Sequence, residues 1–157
     1  MSPCSDGTRA SPASTSSSAW LLKVKASSLR LGLLMNFTEQ EIHTSIVAWL
    51  QLALPAQSVV HHSPNEGRHH VAYRQKQKKM GMQTGWPDLE LFVPDQFFVS
   101  GESRPIFLEV KSKKGRLRDT QIRILEQLRD LACHVCVVRS IDETEDFLSE
   151  IIKLRAT

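Results

Sequence analysis

A chain of 157 residues has the length of one domain. At 41% hydrophobic and 24% charged it has the composition to bury a core, and no apolar run reaches the roughly 20 residues of a membrane span. The formal charge of +3 permits nucleic-acid binding without requiring it, so charge placement matters more than the total.

Residues 1–19 are dominated by Ser, Ala, Thr and Pro, a composition that buries too little apolar surface to fold. Residues 20–34 are apolar but broken by Lys23, Lys25 and Arg30, which makes a poor secretory signal. Residues 1–34 therefore read as a disordered or non-native extension, and residues 35–157 as the domain. From Met35 the signals become regular. Thr38 and Glu41 form a T-x-x-E capping box, and Ile42, Ile46, Val47, Trp49 and Leu50 follow at helical spacing, predicting a helix that stops near Leu54, before Pro55.

Ser58–His62 is a short strand candidate. Residues 63–87, rich in Gly, Asn, Lys, Arg and His, read as a long polar loop of the kind usually tied to function. Leu89–Val93 and Ile106–Lys111 both alternate, predicting neighbouring strands joined by Asp95–Pro105. Asp119–Leu131 carries Ile122, Leu125, Leu128 and Leu131 at helical spacing. A buried strand, Val135–Val138, comes next, and then a final helix from about Asp142 to Leu154, with Lys153 and Arg155 near its end to suit the macrodipole. The order α-β-β-β-α-β-α describes a mixed α/β domain.

The three cysteines, Cys4, Cys133 and Cys136, are too few and odd in number for a secreted disulfide scaffold, so a reducing, cytoplasmic compartment is expected. Cys133 and Cys136 form a C-x-x-C with no second pair; packing is the favoured role, with redox or zinc chemistry as the alternative. His61, His62, His69 and His70 lack the spacing of common zinc sites and read as ordinary loop histidines. His43 reads as a surface or edge residue of the first helix.

One constellation carries chemistry. Pro87–Asp88 opens a strand, and Glu109 and Lys111 share one face of the next, about 7 Å apart along it. Two carboxylates and an ammonium would converge there. Mg²⁺ binds through one or two carboxylates and keeps room for water and phosphate oxygens; Mn²⁺ suits the same ligands. A metal so held polarises a phosphoryl group and lowers the pKa of a bound water. Lys111 suits an electrostatic and positioning role better than that of general base, since a free lysine titrates near ~10.4. Taken alone, a D…E-x-K triplet is equally compatible with a solvated strand face.

The context decides. Gly85–Asp88 (GWPD), LELFVP, FLEVKS, the KKGRLRDTQ run ending at Gln121 and HVCVVRSIDE occur in this order, after the HSPNEGR stretch of His62–Arg68. From about Glu39 to Glu143 the chain resembles the VRR-NUC branch of the PD-(D/E)xK nuclease superfamily, especially the small stand-alone domains of bacteria and their phages. The resemblance implies a restriction-endonuclease-like mixed central sheet flanked by helices, with an αβββαβ core. It implies Asp88, Glu109 and the Val110 carbonyl as metal ligands, Lys111 as catalytic lysine, and Gln121 reaching back to the site. A first-helix glutamate would complete the site, Glu39 ahead of Glu41. Trp86 stands in the variable position of G-x-P-D and is expected to shield the strand edge rather than stack on a base.

Basic residues flank this centre: Arg74, Lys76, Lys78 and Lys79 before it, Lys113, Lys114, Arg116 and Arg118 after it. Such clusters suit DNA phosphates. The expected function is Mg²⁺-dependent hydrolysis of phosphodiester bonds in DNA, with flapped or branched substrates implied by the resemblance, as in DNA repair. Holliday-junction resolution by a homodimer and a catalytically idle DNA-binding module are the alternatives.

Overall fold

The computed structural model describes residues 37–63 and 71–155. The expected extension over residues 1–34, residues 64–70 with His69 and His70, and the side chain of Arg74 lie outside the described residues.

Thr38 caps the first helix, α1 (Glu39–Ala53), as the capping box requires: its hydroxyl accepts from Glu41 N, and the Glu41 carboxylate accepts from Thr38 N at 2.8 Å. The reciprocal pair satisfies two amides that the helix leaves open. The helix buries Ile46, Trp49, Leu50 and Ala53. Side chains the size of Ile46 and Leu50 each contribute about 1.5–3 kcal/mol when removed from water.

Four strands follow the sequence pattern: β1 (Val59–His62), β2 (Leu89–Phe92), β3 (Ile106–Val110) and β4 (His134–Val138). They lie in the order β1-β2-β3-β4, antiparallel across the first three and parallel between β3 and β4, so the sheet is mixed. The parallel step demands a crossover, supplied by α3 (Asp119–Asp130). On one face of β3, Phe107 packs with Ile124 and Leu128 of α3. Alternation turns Ile106, Leu108 and Val110 the other way, and α1 packs there with the last helix, α4 (Ile141–Ile151). All five residues of β3 are buried. No helix among the described residues is long and apolar enough to cross a membrane.

Two expectations are corrected. The polar stretch before β2 contains a helix, α2 (Val71–Lys79). Its Ala, Arg, Gln and Lys are good helix formers, yet they carry no apolar stripe, so periodicity misses it. The final helix stops at Ile151, leaving Lys153 and Arg155 beyond it. Ile152 turns extended and bridges Phe98, while Lys153 N donates to Phe97 O and Arg155 N to Ala53 O. Tertiary backbone pairing outweighs continued helix there.

Candidate active site at the end of strands 2 and 3

Asp88 is fixed at both ends. Its backbone carbonyl accepts from Ser63 N at 3.1 Å and from His62 Nδ1 at 3.0 Å, which requires the His62 proton on Nδ1. Its carboxylate Oδ2 accepts from Val110 N at 2.9 Å, spanning from the residue before β2 to the last residue of β3. Burial pushes the Asp88 carboxyl above its ordinary range, against the opposing pull of Val110 N–H, Lys111 and His43.

Glu109 has no exposed surface. Its Oε1 accepts from Lys111 Nζ at 2.6 Å and from Gln121 Nε2 on α3, while Oε2 is buried with no hydrogen-bond partner. Burial, reinforced by the charges of Asp88 and Glu39, pushes the Glu109 carboxyl up to about 7 in spite of Lys111. Gln121 is itself oriented by accepting Arg118 N at 3.0 Å, so the first turn of α3 aims its amide at the site.

Lys111 Nζ also donates to Glu39 Oε1 and to the Val110 carbonyl, each at 3.1 Å. Burial draws its pKa down, but Glu109 and Glu39 outweigh that and hold it above the ordinary value. It therefore remains an ammonium at neutral pH. Glu39 reaches in from the first turn of α1, its Oε2 3.4 Å from Ser112 N. Glu41 stays with Thr38 in the capping box. The structure thus brings Glu39, Asp88, Glu109, Lys111 and Gln121 together, and leaves Glu41 out.

The residues fit a divalent cation. Three carboxylates (Glu39, Asp88, Glu109) face one ammonium (Lys111), and Glu109 Oε2 is a buried acceptor without a donor. All are hard oxygen donors of the kind Mg²⁺ takes. Among the described residues no three His, Cys, Asp or Glu side chains stand close enough to enclose a metal unaided. The Val110 carbonyl, engaged by Lys111, keeps a second lone pair for a metal.

Sequence reasoning missed the histidines behind Asp88. His43 is half-buried and meets His62 edge-on at 4.6 Å, with its Nε2 buried and without a hydrogen-bond partner. Burial and the neighbouring His62 lower its pKa. Strand register places His62 beside Asp88, because it pairs with Leu89, and the packing of α1 on β1 brings His43 to it. Trp86 does not take the expected edge role: β2 and β3 are the two inner strands, and its ring packs on the sheet face against Phe107 at 5.6 Å while its Nε1 donates to Glu90 Oε1 at 2.7 Å. Cys133 packs against the Phe107 cluster, and burial pushes the Cys136 thiol up, away from thiolate chemistry.

Of the basic flanks, Lys76, Lys78 and Lys79 lie exposed on α2, while Lys113, Lys114, Arg116 and Arg118 are exposed between β3 and α3. Arg74 also belongs to α2.

Residues 24–142 match the sequence profile of the VRR-NUC domain. The fold is similar to a solved structure described as a VRR_NUC domain protein, with a TM-score of 0.51 and 22% identity over 73% of this chain and 88% of that one. No curated protein matches the chain. Because the profile spans all four strands and every residue of the converging site, the chain belongs to the VRR-NUC domain family and is a nuclease-type domain.

Proposed function

We propose that the chain is a Mg²⁺-dependent DNA endonuclease that hydrolyses phosphodiester bonds, with Mn²⁺ able to substitute and flapped or branched DNA preferred. The observation that carries the reading is Glu109, fully buried, with one oxygen bound to Lys111 and Gln121 and the other unpartnered. A charge so placed is costly unless it has work to do.

Asp88, Glu109 and the Val110 carbonyl would hold the metal, and Glu39 would complete its surroundings. When bound, such a cation supplies Lewis-acid polarisation of the phosphoryl group and makes water a competent nucleophile at neutral pH. Lys111, held charged by Glu109 and Glu39, offsets negative charge that develops on the phosphoryl oxygens. Gln121 fixes the Glu109 carboxylate so that its second oxygen is presented in one direction. His62 and Ser63 hold the Asp88 backbone while Val110 N–H orients its carboxylate. The exposed lysines and arginines on either side supply non-specific affinity for the phosphate backbone that falls with salt.

The test is cleavage of labelled duplex, flap and four-way-junction DNA in Mg²⁺, comparing the intact chain with Asp88→Ala and Lys111→Ala. Cutting reduced at least ~100-fold by either change supports the reading. Binding without cutting in Mg²⁺ and in Mn²⁺ overturns it in favour of an idle DNA-binding module. Paired symmetric nicks in the junction would mark a dimeric resolvase.

A further inference from the structure

Beside the carboxylate site lies a second feature that the reaction does not use. An open cleft of about 380 Å³ runs between the end of α2, the segment leading to β2, and the start of α3. Lys78 and Arg123 line it from the two helices, with Gln83, Thr84 and Thr120 between them. Neither cation forms an ion pair among the described residues, although Arg123 has Asp119 four residues before it and Glu126 three after it on α3. Two cations without an acidic partner on the walls of one polar cleft make a setting that suits an anion. Arg presents a planar fork to phosphate oxygens, Lys a point charge, and threonine hydroxyls and a glutamine amide add neutral donors.

The cleft is joined to the carboxylate site by close backbone packing. Gly85, with φ of 87°, sits so close to α3 that a Cβ there would lie 2.6 Å from the Thr120 carbonyl carbon. No side chain fits, so the segment rests directly on the first turn of the helix. On one wall Thr84 stands four residues before Asp88; on the other Thr120 adjoins Gln121, which binds Glu109. Four residues span at most ~14 Å, and a DNA strand rises ~3.4 Å per nucleotide. The cleft is therefore within about four nucleotides of any bond held at Asp88.

We infer that the Lys78–Arg123 cleft is a second phosphate subsite, binding a backbone phosphate of DNA within about four nucleotides of the scissile bond. It sets where along the strand the cut falls. The inference rests on the nuclease reading for the position of the scissile bond, but the subsite itself is a binding claim.

The experiment uses the full chain and a set of fluorescein-labelled DNA duplexes, each with a single uncharged methylphosphonate at one backbone position. Binding is measured by anisotropy in Ca²⁺ and cleavage is mapped in Mg²⁺. Arg123→Gln is expected to weaken binding of unmodified DNA about tenfold and to reduce the salt slope by about one. One methylphosphonate within about four nucleotides of the cut should weaken the intact chain and leave Arg123→Gln unaffected, the signature of a direct pair in a double-mutant cycle. Lys78→Gln should show partial coupling at the same position. Arg129→Gln, a like charge change farther along α3, should couple to no position.

Cutting with no position coupled to Arg123 overturns the subsite and leaves the nuclease intact. Coupling without cutting overturns the catalytic reading alone. Equal effects of Arg123→Gln and Arg129→Gln also overturn the subsite, since net charge then explains both. Circular dichroism melts of each variant exclude misfolding as the cause.

Discussion

The two ends of β3 are buried alike and built oppositely. Ile106 and Leu108 have no exposed surface, and neither does Glu109, while Lys111 just past the strand is 4% exposed. At the first end burial is the source of stability, because apolar surface leaves water. At the second it is a cost, met only in part by Lys111, Gln121 and the Val110 N–H bond to Asp88. The unpartnered Glu109 Oε2 and a carboxyl pushed up to about 7 measure what is left unmet. The contrast locates function: the strand gives up stability at the end where its side chains converge with those of α1, β2 and α3.

Exchanging the burdens of the two ends gives the sharpest test. Glu109→Gln keeps the shape but removes the charge; cleavage should fall by about a thousandfold or more in a single-turnover assay, with thermal stability unchanged or raised above pH 7. Leu108→Ala should do the reverse. It opens a cavity costing about 2–5 kcal/mol, seen as a lower urea midpoint, while the remaining folded protein cuts at close to the normal rate. If Glu109→Gln unfolds the protein as Leu108→Ala does, the two ends are both structural and the contrast fails.

Acidity offers a second way to separate them. Glu109 has a folded pKa of about 7 against 4.5 for an ordinary glutamate, so the folded protein holds its proton more tightly than the unfolded chain. Stability from this group is fully present below about pH 4.5 and is lost as pH rises through about 7. The loss is at most about 3 kcal/mol, or roughly 10 °C in melting temperature for a domain of this size. Asp88, also raised, adds in the same direction. Melting without metal should therefore fall from pH 5 to pH 7.5. Glu109→Gln should flatten that slope, and saturating Mg²⁺ should reverse it, since ligand ionisation favours metal binding. A flat profile for the intact chain would show that Lys111 fully compensates Glu109.

The apolar end and the element order were readable because each rests on a local pattern: the capping box at Thr38, alternation in β2 and β3, and helical spacing through Leu125 and Leu128, although Ile122 and Leu131 of that pattern are exposed and Ile124 is buried in their place. The charged end was readable only in part. The motif order singled out Asp88, Glu109 and Lys111, but alternation alone leaves the Glu109 face open to solvent; α3 covers it, and no local signal in β3 reports a helix twelve residues on. The same limit hid His62 behind Asp88 and Arg123 across from Lys78, both of which depend on contacts between distant segments. Helix α2 escaped for another reason. Its nine residues bring helix propensity without an apolar face, so periodicity has nothing to register.

The finest division lies within the first turn of α1, where two glutamates two residues apart have separate tasks. Glu41 bonds to Thr38 N and Oγ1, and those bonds hold its pKa below the ordinary value. Glu39 turns to Lys111 Nζ at 3.1 Å and to Ser112 N. Thr38→Ala should cost about 1 kcal/mol of stability through loss of the cap, with cleavage by the folded protein unchanged. Glu39→Gln keeps a hydrogen-bonding side chain but removes one of three carboxylates facing Lys111. Its expected effect is a several-fold weaker response to Mg²⁺ in a titration of cleavage rate, with little change in melting temperature, since the side chain is 40% exposed. A loss of stability without any change in Mg²⁺ response would assign Glu39 to anchoring α1 on the sheet and leave Asp88 and Glu109 to hold the metal alone.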